Sequence, residues 1–515
     1  MTQPDLALPR PLRLALAAAS GALIGLAFAP FNIWPAALLG VALFVCTMAG
    51  RTAGASFGYG YLAGLAMNAV TISWIGVLGW YVAVGLLGFM SLWFGVLGWA
   101  TSRVLRLRWW PAWVACCWVA VEFASGRVPF GGFSWNRLAY TSADQPMAGF
   151  LPWIGSVGVS WLVAATGALV AWGVLHHERG RGWRFAVAGT VVASFVAGGL
   201  LQLVPVAEGG PDQVAVGMVQ GNVDGVGHGN VGYARSVTNN HLSETITLMA
   251  RVRTGELAEP DFVVWPENST DIDPTLDQPT RDLVQSAALL ADLPIFVGAV
   301  MFGPGEDERQ TTGLWWDPDT GAGERYDKRN LVPFGEWIPF RDVLLPRLPI
   351  LKQIGRQGVP GTEPGVITGP VERHPGLRVG DVICFELAYD ETVLDVVRHG
   401  AQVVVVQSNN ATYTGTAQPW QQFAITRVRA MELGREFVVS TTSSLSALVL
   451  PTGEVVNRTR EATAASDVYT VPLRDNRTLA SRLQPGLPIA LVVVALLALA
   501  ATLVPPLARR YSDDR

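Results

Sequence analysis

Apolar residues crowd the first two-fifths of the chain and one short run near its end, with a mixed stretch between them. Seven apolar runs precede residue 212, at about 12–29, 34–50, 54–76, 80–102, 109–125, 153–175 and 184–205, and an eighth covers about 486–507. Runs of this kind predict membrane-spanning helices. Small residues are frequent inside them, as close helix packing in lipid favours. Trp34, Trp80, Trp109, Trp110, Trp153 and Trp183 fall near their ends, the headgroup level that suits indole. The broken segment from about 126 to 150, beginning Gly126-Arg127-Val128-Pro129-Phe130-Gly131-Gly132, reads as a loop or a re-entrant stretch.

Between the seventh and eighth runs the pattern changes. Strand-like segments occur at Val214–Gln220, Phe262–Trp265, Ile295–Val300, Val379–Phe385, Val403–Gln407, Phe437–Ser440 and Ala447–Leu450. Helical segments are expected near 233–253, 279–292, 389–399 and 418–434. Alternation of strands and helices predicts a sheet covered by helices, in one domain. The organisation expected is residues 1–211 as a membrane domain of about seven helices, 212–475 as an inserted α/β domain, and 476–515 as a closing helix and tail.

Composition sharpens this picture. Charged residues make up 15% of the 515 and hydrophobic ones 50%, against about 25% charged in an average soluble domain. The net charge of −4 gives no basic face for nucleic acid. Arg10, Arg13, Arg51, Arg103, Arg106, Arg108, Arg179, Arg181, Arg184, Arg509 and Arg510 share one side if the runs alternate across the bilayer; Arg127 and Arg137 face the other. The positive-inside rule then puts both termini in the cytoplasm and the 212–475 insert outside it. The first run ends in Ala27-Phe28-Ala29, which resembles a signal-peptide cleavage site, but further runs follow at once and an uncleaved helix is expected.

Candidate chemistry is confined to the insert. Cys46, Cys116 and Cys117 lie in apolar runs and read as small buried hydrophobes; Cys384 alone is in the polar region. It follows a strand and precedes a helix, a geometry that exposes a nucleophile, and a nearby helix N-terminus favours thiolate. Glu267 ends another strand, where it could accept and return the thiol proton. Lys328 is one of only two lysines among 37 basic residues; a compact ammonium there could stabilise an oxyanion. Taken singly, a buried structural Cys, a solvated Glu and a surface Lys are the plainer readings of these positions.

Taken together, Trp265-Pro266-Glu267, Lys328 and Val382-Ile383-Cys384-Phe385-Glu386 resemble the nitrilase, or carbon-nitrogen hydrolase, superfamily, whose triad is Glu, Lys and Cys in that order. Leu331-Val332-Pro333-Phe334-Gly335-Glu336, Gln220-Gly221-Asn222 and Pro129-Phe130-Gly131-Gly132-Phe133-Ser134-Trp135 are similar to its integral-membrane branch, the apolipoprotein N-acyltransferases, over nearly the whole chain. The resemblance implies a polytopic α-helical membrane protein of about eight spans with an inserted α-β-β-α sandwich. It implies Glu267 as general base, Lys328 as oxyanion stabiliser and Cys384 as nucleophile, with Glu336 and Glu386 in support and Phe385, Asn409 and Tyr413 near substrate. It implies a bacterial cytoplasmic membrane, a phospholipid acyl donor, diacylglyceryl-modified apolipoproteins as acceptors, and no cofactor or metal. Two departures stand out: family members commonly carry Tyr where this chain has Phe385, and Ser-Asn-Asp-Ala-Trp-Phe where it has Ser408-Asn409-Asn410-Ala411-Thr412-Tyr413.

Other features lead elsewhere or nowhere. The glycines of Gly221-Asn222-Val223-Asp224-Gly225-Val226-Gly227-His228-Gly229 do not have dinucleotide-loop spacing. His176, His177, His228, His241, His374 and His399 show no metal-ligand spacing. Glu122, near the outer end of the fifth run, is either a functional acid or an interfacial one. The rival readings are a membrane-tethered amidase or nitrilase for a small substrate and a transporter or scaffold with an inert outer domain.

Overall fold

Helices occupy all eight apolar runs in the computed structural model, which describes Leu6 and residues 8–207, 209–223 and 234–503. They are α1 (Arg10–Leu26), α2 (Pro35–Met48), α3 (Ala53–Thr71), α4 (Trp80–Val104), α5 (Trp110–Ser125), α6 (Leu151–Leu175), α7 (Arg181–Gln202) and, after the insert, α14 (Leu487–Ala501). Three are long and apolar enough to cross a bilayer: α4, α7, and α6 with the turn before it (Pro146–Leu175); α2 and α14 are apolar but shorter. The glycine run from Asp224 onward, His228, Arg509 and Arg510 lie outside the described residues.

Small residues bring the helices into contact. A Cβ on Gly21 would lie 1.9 Å from the Ala63 carbonyl oxygen, and one on Gly60 2.3 Å from that of Phe94, so α1, α3 and α4 touch backbone to backbone. Arg13 is fully buried and donates to the carbonyls of Thr47 and Ala49 (2.8 and 3.0 Å), which closes the C-terminal end of α2. Trp80 and Trp109 are exposed at helix starts, whereas Trp110 is buried.

The insert folds into two facing sheets. The first orders β13 (Ala465–Pro472), β1 (Gln213–Gln220), β2 (Phe262–Val264), β3 (Ile295–Phe302), β4 (Glu308–Asp317) and β5 (Gly321–Asp327), with β6 (Gln357–Gly358) beside β4. The second orders β12 (Val455–Val456), β11 (Ala447–Val449), β10 (Phe437–Thr441), β9 (Val403–Ser408), β8 (Arg378–Ile383) and β7 (Val366–Thr368). Val216, Phe262, Val264, Phe296, Trp315, Val379, Val405 and Val438 fill the space between them.

Helices α8 (Ser236–Arg253) and α9 (Gln278–Ala291) cover the far face of the first sheet, packing Leu248, Met249, Val284 and Ala288 against Val219, Val263 and Val297. Asp277 caps α9 by accepting from the Thr280 amide (3.0 Å). Helices α11 (Asp390–Arg398) and α12 (Ala417–Leu433) cover the far face of the second, and their apolar residues join one continuous core with the N-terminal helices. The layers are therefore α-β-β-α. Two short helices complete the chain, α10 (Arg341–Leu344) and α13 (Leu479–Leu483).

Helix α12 fastens the sandwich to the helical bundle. Gln421 accepts from the indoles of Trp74 (3.0 Å) and Trp135 (2.8 Å) and donates to the carbonyls of Ala29 (3.1 Å) and Thr71 (2.8 Å). Asp390 accepts from Arg137 (2.6 Å) and Arg429 (2.8 Å), both buried. Gly155, at φ +67 within α6, breaks the helix so that the Ser156 amide donates to Glu432 (2.7 Å).

Candidate active site

Strand ends converge where the two sheets meet the bundle. β2 ends at Val264, and Glu267 follows it by three residues. β5 ends at Asp327, and Lys328 is next. β8 ends at Ile383, and Cys384 opens a short 3-10 turn, Cys384–Ala388, before α11. Cys384 has φ +52, a left-handed conformation that non-glycine residues seldom adopt. The residue is half-buried.

The Lys328 ammonium is buried between two carboxylates, Glu267 Oε1 at 2.8 Å and Glu336 Oε1 at 2.9 Å. The second oxygen of Glu267 accepts from the Asn409 amide (2.8 Å), and that of Glu336 from the Val332 amide (2.7 Å). Burial alone would discharge the ammonium, but Glu267 and Glu336 outweigh it and hold Lys328 well above its ordinary range. The Cys384 thiol donates to Gln422 Oε1 (3.8 Å); burial, then the Glu267 charge, raise its pKa against the pull of Lys328. The helix-start expectation of a ready thiolate therefore does not describe the resting site. One ammonium already faces two carboxylates, and a third negative charge is disfavoured, so the sulfur rests as a thiol with its base beside it.

Glu386 plays a different part from Glu336. It accepts from the Tyr326 hydroxyl (2.8 Å) and the Arg329 (2.7 Å), Asn330 (3.2 Å) and Ile383 (2.9 Å) amides. It ties the Lys328 loop to the Cys384 turn without touching the sulfur. Asn409 reaches the cluster through its backbone amide; its side chain instead accepts from Ala411 N and Thr442 Oγ1.

One wall of the site is aromatic. Phe385 stacks on Trp135 (5.9 Å between ring centroids) and lies 5.8 Å from Phe133. Tyr413 meets Trp74 edge-on at 5.1 Å, and Trp74 lies 5.8 Å from Trp135. Phe133 and Trp135 come from the broken segment after α5, whose Phe130, Gly131 and Gly132 all have positive φ. A Cβ on Gly132 would lie 2.1 Å from the Gly126 carbonyl carbon, so the tight fold needs glycine there. Glu122 braces this segment from α5, accepting from Leu138 N (2.9 Å) and Trp118 Nε1 (3.1 Å); it is buried within the protein.

Sequence reasoning missed the polar group behind the sulfur. Gln422 on α12 lies 3.8 Å from Cys384 Sγ through Oε1, accepts from Asn410 (2.8 Å) and Gln418 (3.0 Å), and donates to Ser408 (2.6 Å). The available signal was the helical spacing of Gln418 and Gln422, which puts both on one face. Among the described residues, no cluster of His, Cys, Asp and Glu could hold a metal ion.

Two family models match the chain: apolipoprotein N-acyltransferase N-terminal domain over residues 20–169, and carbon-nitrogen hydrolase over 246–473. The chain is 33% identical to the apolipoprotein N-acyltransferase of Mycolicibacterium smegmatis, over 93% of this chain and 83% of that protein. It is 27% identical to the proteins of the same name from Vibrio parahaemolyticus, over 88% of this chain and 89% of the relative, and Coxiella burnetii, over 86% and 90%.

Proposed function

The chain belongs to the apolipoprotein N-acyltransferase family, and on that premise we propose that it moves a fatty acyl chain from a membrane phospholipid to Cys384 and then to the α-amine of a diacylglyceryl-cysteine. The observation that supports this most is the cluster of Glu267, Lys328 and Cys384 at the end of the sandwich that abuts the helical bundle. A site for a small soluble amide has no need of that position.

In the first half-reaction Glu267 takes the thiol proton as sulfur attacks the ester carbonyl. The carbonyl oxygen becomes an oxyanion, and the Lys328 ammonium faces it. Collapse breaks the ester C–O bond, and the proton on Glu267 passes to the departing lysophospholipid oxygen, leaving a thioester. In the second, the free amine attacks that thioester and gives its proton to Glu267. Collapse expels sulfur, which regains the proton. Lys328 keeps its charge throughout, consistent with the two carboxylates beside it. The wall formed by Phe385, Phe133 and Trp135 gives an acyl chain an apolar neighbour and keeps water from the thioester.

In this reading all eight apolar helices span a bacterial cytoplasmic membrane. Residues 1–211 form the membrane domain, 212–475 the catalytic domain on the extracytoplasmic side, and 476–515 the last span and tail, with both termini in the cytoplasm. Phe385, Asn409 and Tyr413 serve as substrate neighbours through a ring face, a backbone amide and a ring edge.

The test is intact mass. Detergent-solubilised enzyme given a defined phospholipid and no acceptor should gain one acyl group, lost again on adding a diacylglyceryl-cysteine peptide. An enzyme that stays unmodified by phospholipid while hydrolysing small amides would refute the reading. Lys328→Arg should lower the acylation rate by roughly 10²-fold or more, because a planar guanidinium cannot sit between Glu267 and Glu336 as a point charge does. An unchanged rate would remove Lys328 from the chemistry.

A further inference from the structure

A buried carboxyl that this reaction leaves unused lies behind the cluster. Asp381 sits on β8, three residues before Cys384, and is fully buried. Neither of its oxygens has a hydrogen-bond partner, and neither does Oε1 of the equally buried Gln407 on β9. The two strands run parallel, with Asp381 beside Val405 and Ile383 beside Gln407. Ile383 and Val405 belong to the core between the sheets, so Asp381 and Gln407 project from that same face as diagonal neighbours.

Both side chains end at one point on the opposite sheet. A Cβ on Gly313 of β4 would lie 2.2 Å from Asp381 Oδ2 and 3.1 Å from Gln407 Oε1. The other end of Gln407 is committed: its Nε2 donates to the carbonyls of Trp265 (2.7 Å) and Phe296 (3.3 Å). Its Oε1 and the Asp381 carboxyl therefore close on the same point, three buried acceptor oxygens with no partner at hydrogen-bond distance. Unpaired buried acceptors are unfavourable, and a bare carboxylate is far more so. One proton removes the conflict.

We propose that Asp381 is held protonated and donates its hydrogen to Oε1 of Gln407, acting as a positioning residue for Glu267. The connection is short: the Gln407 amide grips the Trp265 carbonyl, two residues before Glu267. The proposal rests on the reading of Glu267 as the base. The charged and titratable groups around Asp381 are Glu386, Glu267, Lys328 and Tyr326. Burial, then Glu386 and Glu267, push its carboxyl well above the usual range against the weaker pulls of the Val382 amide and Lys328.

The decisive comparison is Asp381→Asn against Asp381→Ala. Asparagine supplies a permanent N–H in place of the acid hydrogen, so Asp381→Asn should acylate Cys384 within about threefold of wild type, while Asp381→Ala should be at least tenfold slower. A difference infrared spectrum, wild type minus Asp381→Asn near neutral pH, should contain the carbonyl stretch of one protonated carboxyl. Absence of that band, an Asn variant as slow as the Ala variant, or an Ala variant at the wild-type rate would each overturn the proposal. If Asp381→Ala fails to fold, the Asn variant and the spectrum still decide. The spectrum needs no acyl donor, so a wild-type enzyme that takes no acyl group would defeat the functional reading separately.

Discussion

Replacing Cys384 with alanine is expected to abolish acyl transfer, by roughly 10⁴-fold or more, because no other group can form the thioester. Among the described residues, the remaining cysteines are buried on α2 and α5, away from the Glu267–Lys328 pair. The fold should survive. Alanine meets the same left-handed backbone that cysteine tolerates at φ +52, and a half-buried sulfur contributes little packing. The measurements are N-acylation of a diacylglyceryl peptide, intact mass after exposure to phospholipid, and thermal unfolding in detergent. Substantial N-acylation by a folded Cys384→Ala enzyme would leave the sulfur without a role.

Glu267→Gln should separate two effects that a simple loss of activity would merge. The glutamine carbonyl can still accept from the Asn409 amide, and Lys328 keeps Glu336. The base is gone, so acylation should fall by about 10²–10⁴-fold. The negative charge that raises the thiol pKa is gone too. The pH midpoint for alkylation of Cys384 by iodoacetamide should therefore move down. Transfer and alkylation thus respond in opposite directions. A variant that forms thioester at the wild-type rate, or whose alkylation midpoint rises, would contradict the assignment of Glu267 as base.

How much of this was legible in the sequence depended on the physical signal. Long apolar runs are recognised by length and hydropathy alone, and each corresponds to a helix within a few residues where the structure describes it. Strands β1, β2, β3, β8, β9, β10 and β11 were legible because they are short, β-branched and bounded by turn residues. Strand β4 was missed because it opens Glu308-Arg309-Gln310, and β5 because it reads Gly321-Ala322-Gly323-Glu324-Arg325. Their hydrogen bonds come from β3 and from each other, a tertiary pairing that overrides weak local preference. Strand β13 was invisible for a related reason: its partner, β1, lies at the opposite end of the insert.

The three proposed catalytic positions were readable as a motif in chain order. Their electrostatics were not. That Lys328 is shared by two carboxylates, and that the sulfur therefore rests protonated, depends on distances no spacing encodes. The substitution of Phe385 for the family's common tyrosine was visible, but its consequence was not: the ring faces Trp135, so its place in the wall needs no hydroxyl.

Gln421 and Gln422 are consecutive on one helix, yet the first is gripped by four groups of the helical bundle and the second touches the reactive sulfur. That adjacency ties the position of the sulfur to the helical bundle. If the bundle spans the membrane as proposed, the catalytic domain cannot shift against it without breaking these four contacts. In that reading donor and acceptor each travel to a stationary atom, by sideways diffusion in the leaflet and a short lift of the reacting group. Turnover should then depend on membrane fluidity more than on any swing of the enzyme.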